Sequence, residues 1–300
     1  MRMKKDIIIL SMALAAMVMA SCGRAPKSLQ VKNFTYADST TYSHISMDVD
    51  LPSEAGTVGD RITGKLLEVT DDILSRISSY ENERFFPPFD GDKKDIEAFL
   101  RYYLKQASGV IGKQSDEDAK ERAESIMENE NIPEDEKADL LAHTPTWAYD
   151  FSLKKISEDD RYVVFLSEDY ITMGGAHGGV VGKGAITFDK KDGSHVEHIV
   201  DRSKVADIQP LLVKGIMSYF ADAGFPVEED KVRDYLSLDG DLIPLPQWEP
   251  YPSEKGLVFL YQQYEIASYA AGMPSFTVPF PDAAPFLTPE GINLIGIGKR

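Results

Sequence analysis

Strict alternation marks the first legible element of the chain. From Ser43, the apolar residues Ile45, Met47, Val49 and Leu51 share one side, and Ser46, Asp48 and Asp50 share the other. A period of two describes a half-buried strand. After a loop over 52–59 the period changes: Ile62, Leu66, Val69, Ile73 and Ile77 recur at helical spacing and predict an amphipathic helix. Phe85-Phe86-Pro87-Pro88 interrupts the chain before a second helix carrying Ile96, Phe99, Leu100 and Tyr103. Residues 115–129 are highly charged with a thin apolar stripe, which predicts a solvated helix, and another helix follows Pro133 with Leu140 and Leu141.

At Thr146 the pattern returns to strands. Trp147, Tyr149, Phe151 and Leu153 share a face, whereas Tyr162 to Leu166 is apolar on both faces, as a central strand requires. A further strand is predicted at Gly184 to Phe188, and Asp192-Gly193 signals a tight turn. Asp207 is placed to cap a helix holding Ile208, Leu211, Leu212, Ile216 and Tyr219, with Pro210 tolerated in its first turn and Gly224 at its end. A Pro-rich loop over 244–252 leads to strands at Leu257 to Tyr261 and Phe276 to Phe280. The pattern predicts an α+β fold of antiparallel sheets with segregated helices. An N-terminal half spans 31–176 with a helical insertion at 90–144, and a C-terminal βαββ-like half spans 177–300.

The first residues carry a different signal. Arg2, Lys4 and Lys5 precede an apolar run from Ile7 to Met19, which is shorter than the ~20 residues that span a bilayer. Ala20-Ser21-Cys22 closes it in the manner of a bacterial lipoprotein signal. Residues 1–21 read as the signal peptide, Cys22 as the acylated N-terminus and 22–30 as a polar tether. The expected attachment is to membrane through the lipid on Cys22, in the cell envelope, at an outer membrane facing the periplasm. Cys22 is the only cysteine, so no disulfide is expected. The formal net charge of -17 argues against nucleic acid as a partner, because phosphates need cationic contacts, and is compatible with cationic proteins.

Three stretches together resemble a known domain: Asp169-Tyr170-Ile171-Thr172-Met173-Gly174-Gly175-Ala176-His177-Gly178, then Thr187-Phe188-Asp189 through Gly193, then Gly256 to Phe280 with Tyr264-Glu265-Ile266-Ala267 and Tyr269-Ala270-Ala271-Gly272. The combination is similar to the extracellular domain shared by the lysozyme-sensing anti-sigma factor RsiV and the accessory region of the peptidoglycan deacetylase PdaC. Many envelope lipoproteins carry that domain. The anti-sigma role needs a cytoplasmic segment and the deacetylase role a separate catalytic domain, and neither is recognisable in the sequence. What the resemblance implies is recognition without catalysis, of a lysozyme-like protein or a cell-wall glycan.

The candidate binding residues are therefore His177, Gly174 and Gly175 in the first loop and Tyr264, Glu265 and Tyr269 in the last. Glycines let the chain present an imidazole on a tight turn, although the same residues serve equally as a structural turn. Tyr261, Tyr264 and Tyr269 offer large area at low entropic cost, or else plug the end of the core, and Glu265 is the natural acidic contact for a basic ligand. The alternative is an envelope hydrolase or metal-dependent enzyme centred on His177, which needs a nucleophile, carboxylate or further ligands beside it; a structural envelope component is a third reading. No cofactor is expected. His195 and His198 fall on opposite faces of an extended segment and are expected as surface residues unable to share an ion. Gly182-Lys183-Gly184 fails both phosphate-loop templates. Asp90-Gly91-Asp92 and Asp239-Gly240-Asp241 lack a full calcium register and read as solvated turns.

Overall fold

The computed structural model describes residues 28–77, 83–174 and 178–297. The chain opens with strand β1 (Val31–Ser39), then β2 (Ser43–Pro52) and helix α1 (Thr57–Arg76). The insertion follows as α2 (Ile96–Ala107), a π turn at Ser108–Gly112, α3 (Lys113–Glu128) and α4 (Glu134–Ala142). Three long strands come next: β3 (Trp147–Glu158), β4 (Tyr162–Thr172) and β5 (Val180–Asp189). The remainder is α5 (Gln209–Asp222), β6 (Tyr251–Ser253), β7 (Gly256–Leu260), β8 (Ser275–Val278), α6 (Phe280–Ala283) and α7 (Pro289–Ile295). This is an α+β fold with helices and strands segregated.

The first sheet has the order β1-β2-β3-β4-β5. Its pairs are antiparallel except β2 with β3, which run parallel in the register Ser43 opposite Trp147. The exception to the expected antiparallel sheet has a simple cause. The helices between β2 and β3 carry the chain back to the end where β2 began, and a parallel pair requires such a crossover. The sheet runs on to Asp189, with β5 antiparallel to β4. β1 was not visible in the sequence pattern: it is an edge strand with only Val31, Phe34 and Tyr36 partly buried. A strand solvated on both faces has little alternation to read.

The alternating residues behave as their spacing requires. Ile45, Met47, Val49 and Leu51 of β2, and Tyr149, Phe151 and Leu153 of β3, are buried in one cluster with Ile62, Leu66 and Ile73 of α1 and Phe99, Leu100 and Tyr103 of α2. Asp95 caps α2, its side chain accepting from Ala98 N at 3.0 Å. β4 is apolar on both faces because it is covered on both: Val163 and Phe165 join this first cluster, and Tyr162 and Val164 join a second. The second cluster lies among α5, β7, β8 and α7, with Phe259 and Phe276 stacked at 5.4 Å. The second sheet is antiparallel in the order β6-β7-β8.

Several boundaries differ from expectation: α1 ends at Arg76 with Ile77 past it at φ +68°, and β7 runs one residue earlier than predicted. α5 begins at Gln209, Ile208 holds its cap position, and no side chain caps it. Asp207 therefore does not serve as the cap; Gln209 ties this end instead, its amide donating to Val205 O and Ile243 O. Phe280 begins a short helix rather than ending β8.

Candidate binding surface

The loop between β7 and β8 is held down by its own side chains. β5 ends the first sheet, and its outward-facing peptide groups recur at alternate residues. Gln262, buried, fills one such place as a neighbouring strand would: its Oε1 accepts from Lys183 N at 2.9 Å and its Nε2 donates to Lys183 O at 2.8 Å. Two residues along, Gln263 Oε1 accepts from Val181 N at 2.9 Å. Pairing by side-chain amides satisfies a strand edge that would otherwise invite another chain.

Glu265 makes the second set of ties. Its carboxylate accepts from Gln262 N at 2.6 Å and from Gln247 N at 2.5 Å. Burial raises its pKa, and the two backbone bonds and the Arg202 charge offset this only in part. The acidic contact foreseen for a basic ligand is thus committed to backbone amides and holds the loop against segment 247–249. Tyr269 makes the third tie, its hydroxyl donating to Gly179 O at 3.0 Å. A Cβ at Gly178, whose φ is +72°, would stand 2.6 Å from that hydroxyl oxygen, so glycine is needed there. A Cβ at Gly174, whose φ is +69°, would stand equally close to Pro145 Cβ. Gly175 and His177 lie outside the described residues, as does Cys22.

Against this rigid frame Tyr264 stands apart. It is 65% exposed and has φ +62°, one of two non-glycine residues at positive φ among those described. Its ring lies 5.8 Å from that of Tyr269. Tyr261, by contrast, is a core residue whose hydroxyl donates to Pro244 O at 2.8 Å; burial, then the charge of Glu265, pushes its pKa well up. Of the predicted site residues, the structure brings Tyr264 and Tyr269 to one place, with Gly178 beside Tyr269. Gln262 and Gln263 were missed, because nothing local to a glutamine announces that it completes a distant strand edge.

Gly182-Lys183-Gly184, which fails the phosphate-loop templates, lies inside β5. The reading of the histidines is corrected. His195 is not a surface residue on the far side from His198: residues 194–199 form no strand beyond a single antiparallel bridge of His195 with Phe188, and both histidines line one cleft beside α1. The His195 ring packs 5.8 Å from Phe188, and burial together with the Lys65 charge lowers its pKa against the opposing pull of Glu197. Among the described residues, no three of His, Cys, Asp and Glu are grouped so as to hold a metal ion.

Residues 201–281 match DUF3298, a family described as protein of unknown function. That span carries α5, β6, β7, β8 and the tyrosine loop. No curated protein matches the chain. Among solved structures, a DUF3298 family member from Bacteroides fragilis aligns with a TM-score of 0.60 at 13% identity, covering 92% of this chain and 100% of that one. A DUF3298 family protein from Pseudomonas aeruginosa aligns with a TM-score of 0.52 at 13% identity, covering 88% and 97%. At such identity the likeness speaks for the fold, including the first sheet and its helices, which lie outside the matched span.

Proposed function

We propose that this chain is a non-catalytic recognition domain of the cell envelope, anchored through lipid on Cys22, with its binding surface at Tyr264 and Tyr269. One observation carries the reading: an exposed aromatic in a strained backbone conformation, on a loop whose neighbours are all fixed. An exposed tyrosine at positive φ adds little to the core and costs about 1–2 kcal/mol of backbone strain. Such strain persists where the side chain does something else, and pre-ordering an aromatic anchor lowers the entropy lost on binding. Tyrosine suits both a protein epitope and the face of a sugar ring. The lipoprotein-like leader supports the location, and among the described residues no helix is long and apolar enough to cross a membrane.

The sequence resemblance to a lysozyme-sensing domain selects the probes. Surface plasmon resonance of the purified protein against lysozyme and against soluble peptidoglycan fragments, at low salt, is expected to give saturable binding to one of them. Tyr264→Ala should weaken it by about tenfold or more, as truncating an anchor does. Binding of neither probe, or binding indifferent to Tyr264, refutes the assignment.

A further inference from the structure

A second concavity, of about 720 Å³, lies between α1, the 84–93 segment, β5 and the stretches 195–202 and 247–249. Its size suits a small ligand, and it joins the two hydrophobic clusters, where such sites commonly form. Residues 261–272 do not line it, so it is separate from the surface proposed above and does not rest on that reading.

The cations of this cleft are fixed from behind. Asp71, its side chain 6% exposed, lies 3.0 Å from Lys93 Nζ and 3.5 Å from Arg84 Nη1, and accepts from Tyr103 Oη at 2.6 Å. Burial would raise this carboxyl, but the hydrogen bonds from Tyr103 and Lys93 and the nearby charges outweigh it and leave its pKa lowered. On another wall Glu249, 14% exposed, accepts from Ile199 N and Val200 N at 2.7 Å each and pairs with Arg202 Nη2 at 3.3 Å. The buried carboxylates are consumed in these roles, while Lys93, Arg84 and Arg202 keep 40–46% exposure. Exposed carboxylates share the same lining: Glu197, 64% exposed, lies 3.3 Å from His195 Nδ1, and Glu68, 69% exposed, pairs with Lys65 Nζ at 3.0 Å. Trp248, half-buried and resting on Gly184, adds an apolar face.

Charge of both signs discriminates between ligand classes. A simple anion meets Glu68 and Glu197; a simple cation meets Arg84, Lys93 and Arg202. A molecule with a carboxylate and an ammonium on a small body satisfies both sets. We propose that this cleft binds a small zwitterion, an amino acid or short peptide, its carboxylate taken by the arginines and Lys93, its ammonium by Glu68 and Glu197, and its apolar part by Trp248.

Isothermal titration of the purified protein at low ionic strength tests this with alanyl-alanine, its N-acetyl form and its C-terminal amide. Low salt is needed because exposed pairs are screened. The zwitterion should bind saturably, and each blocked form about tenfold or more weaker. Arg202→Gln should weaken the zwitterion and the N-acetyl form alike. Glu197→Gln, at an exposed position that leaves folding intact, should weaken the zwitterion and spare the N-acetyl form. Tyr264→Ala should change nothing here, which separates this cleft from the tyrosine surface. Absence of saturable binding by the zwitterion, or equal binding of either blocked form, overturns the proposal.

Discussion

Glu158 offers the sharpest test of how the start of the described chain is attached to the fold. It lies at the end of β3, just past an irregularity in the pairing with β4. Its carboxylate accepts from Leu29 N at 2.7 Å and Ser28 Oγ at 2.8 Å, and pairs with Lys155 at 2.9 Å and Lys190 at 2.5 Å. One side chain therefore ties the stretch before β1 to the ends of β3 and β5. Burial would raise its pKa; the lysines and the Leu29 and Ser28 bonds overcome that and lower it from 4.5 to about 2. Such a fall corresponds to ~3 kcal/mol at most, reduced to about 2 kcal/mol by solvent screening. Because the folded pKa is depressed, this stability is fully present above pH 4.5 and is lost as pH falls toward 2. Glu158→Gln keeps the shape, removes the charge and leaves two lysines without it. Urea unfolding at pH 7 should show the variant about 2 kcal/mol less stable, with the gap closing between pH 4.5 and 2. Equal stability at pH 7, or a gap independent of pH, refutes the reasoning.

Two further outcomes follow from the tyrosine loop. Tyr264→Gly and Tyr264→Ala lose the same side chain, but glycine adopts φ +62° without strain. After glycine's entropic penalty, the glycine variant should be the more stable by ~0.5–1 kcal/mol, read as ~1–4 °C in a thermal melt; a more stable alanine variant contradicts the strain argument. Gln262→Leu leaves the Lys183 amide and carbonyl facing an apolar group and should cost ~2–4 kcal/mol in chemical denaturation. A loss below ~0.5 kcal/mol would mean that β5 does not depend on this surrogate pairing.

What the amino-acid order determined by itself was the kind of each element and the face it buries. Ile45 to Leu51, Ile62 to Ile73 and the two-faced Tyr162 to Leu166 all lie where their periods place them, because burial repeats with the geometry of the local backbone. The aromatic loop was legible too, since Tyr264 and Tyr269 fall in one short stretch. Only the tertiary structure decided which segments meet. The parallel pairing of β2 with β3 depends on the helices between them, and β1 is a strand because β2 offers an edge. Gln262 acts as a strand surrogate because it meets Lys183, and Glu249 and Asp71 become cation supports because distant segments close one cleft. Backbone hydrogen bonding is the same for nearly every residue, so chain partners leave no local trace; periodicity leaves one at every turn.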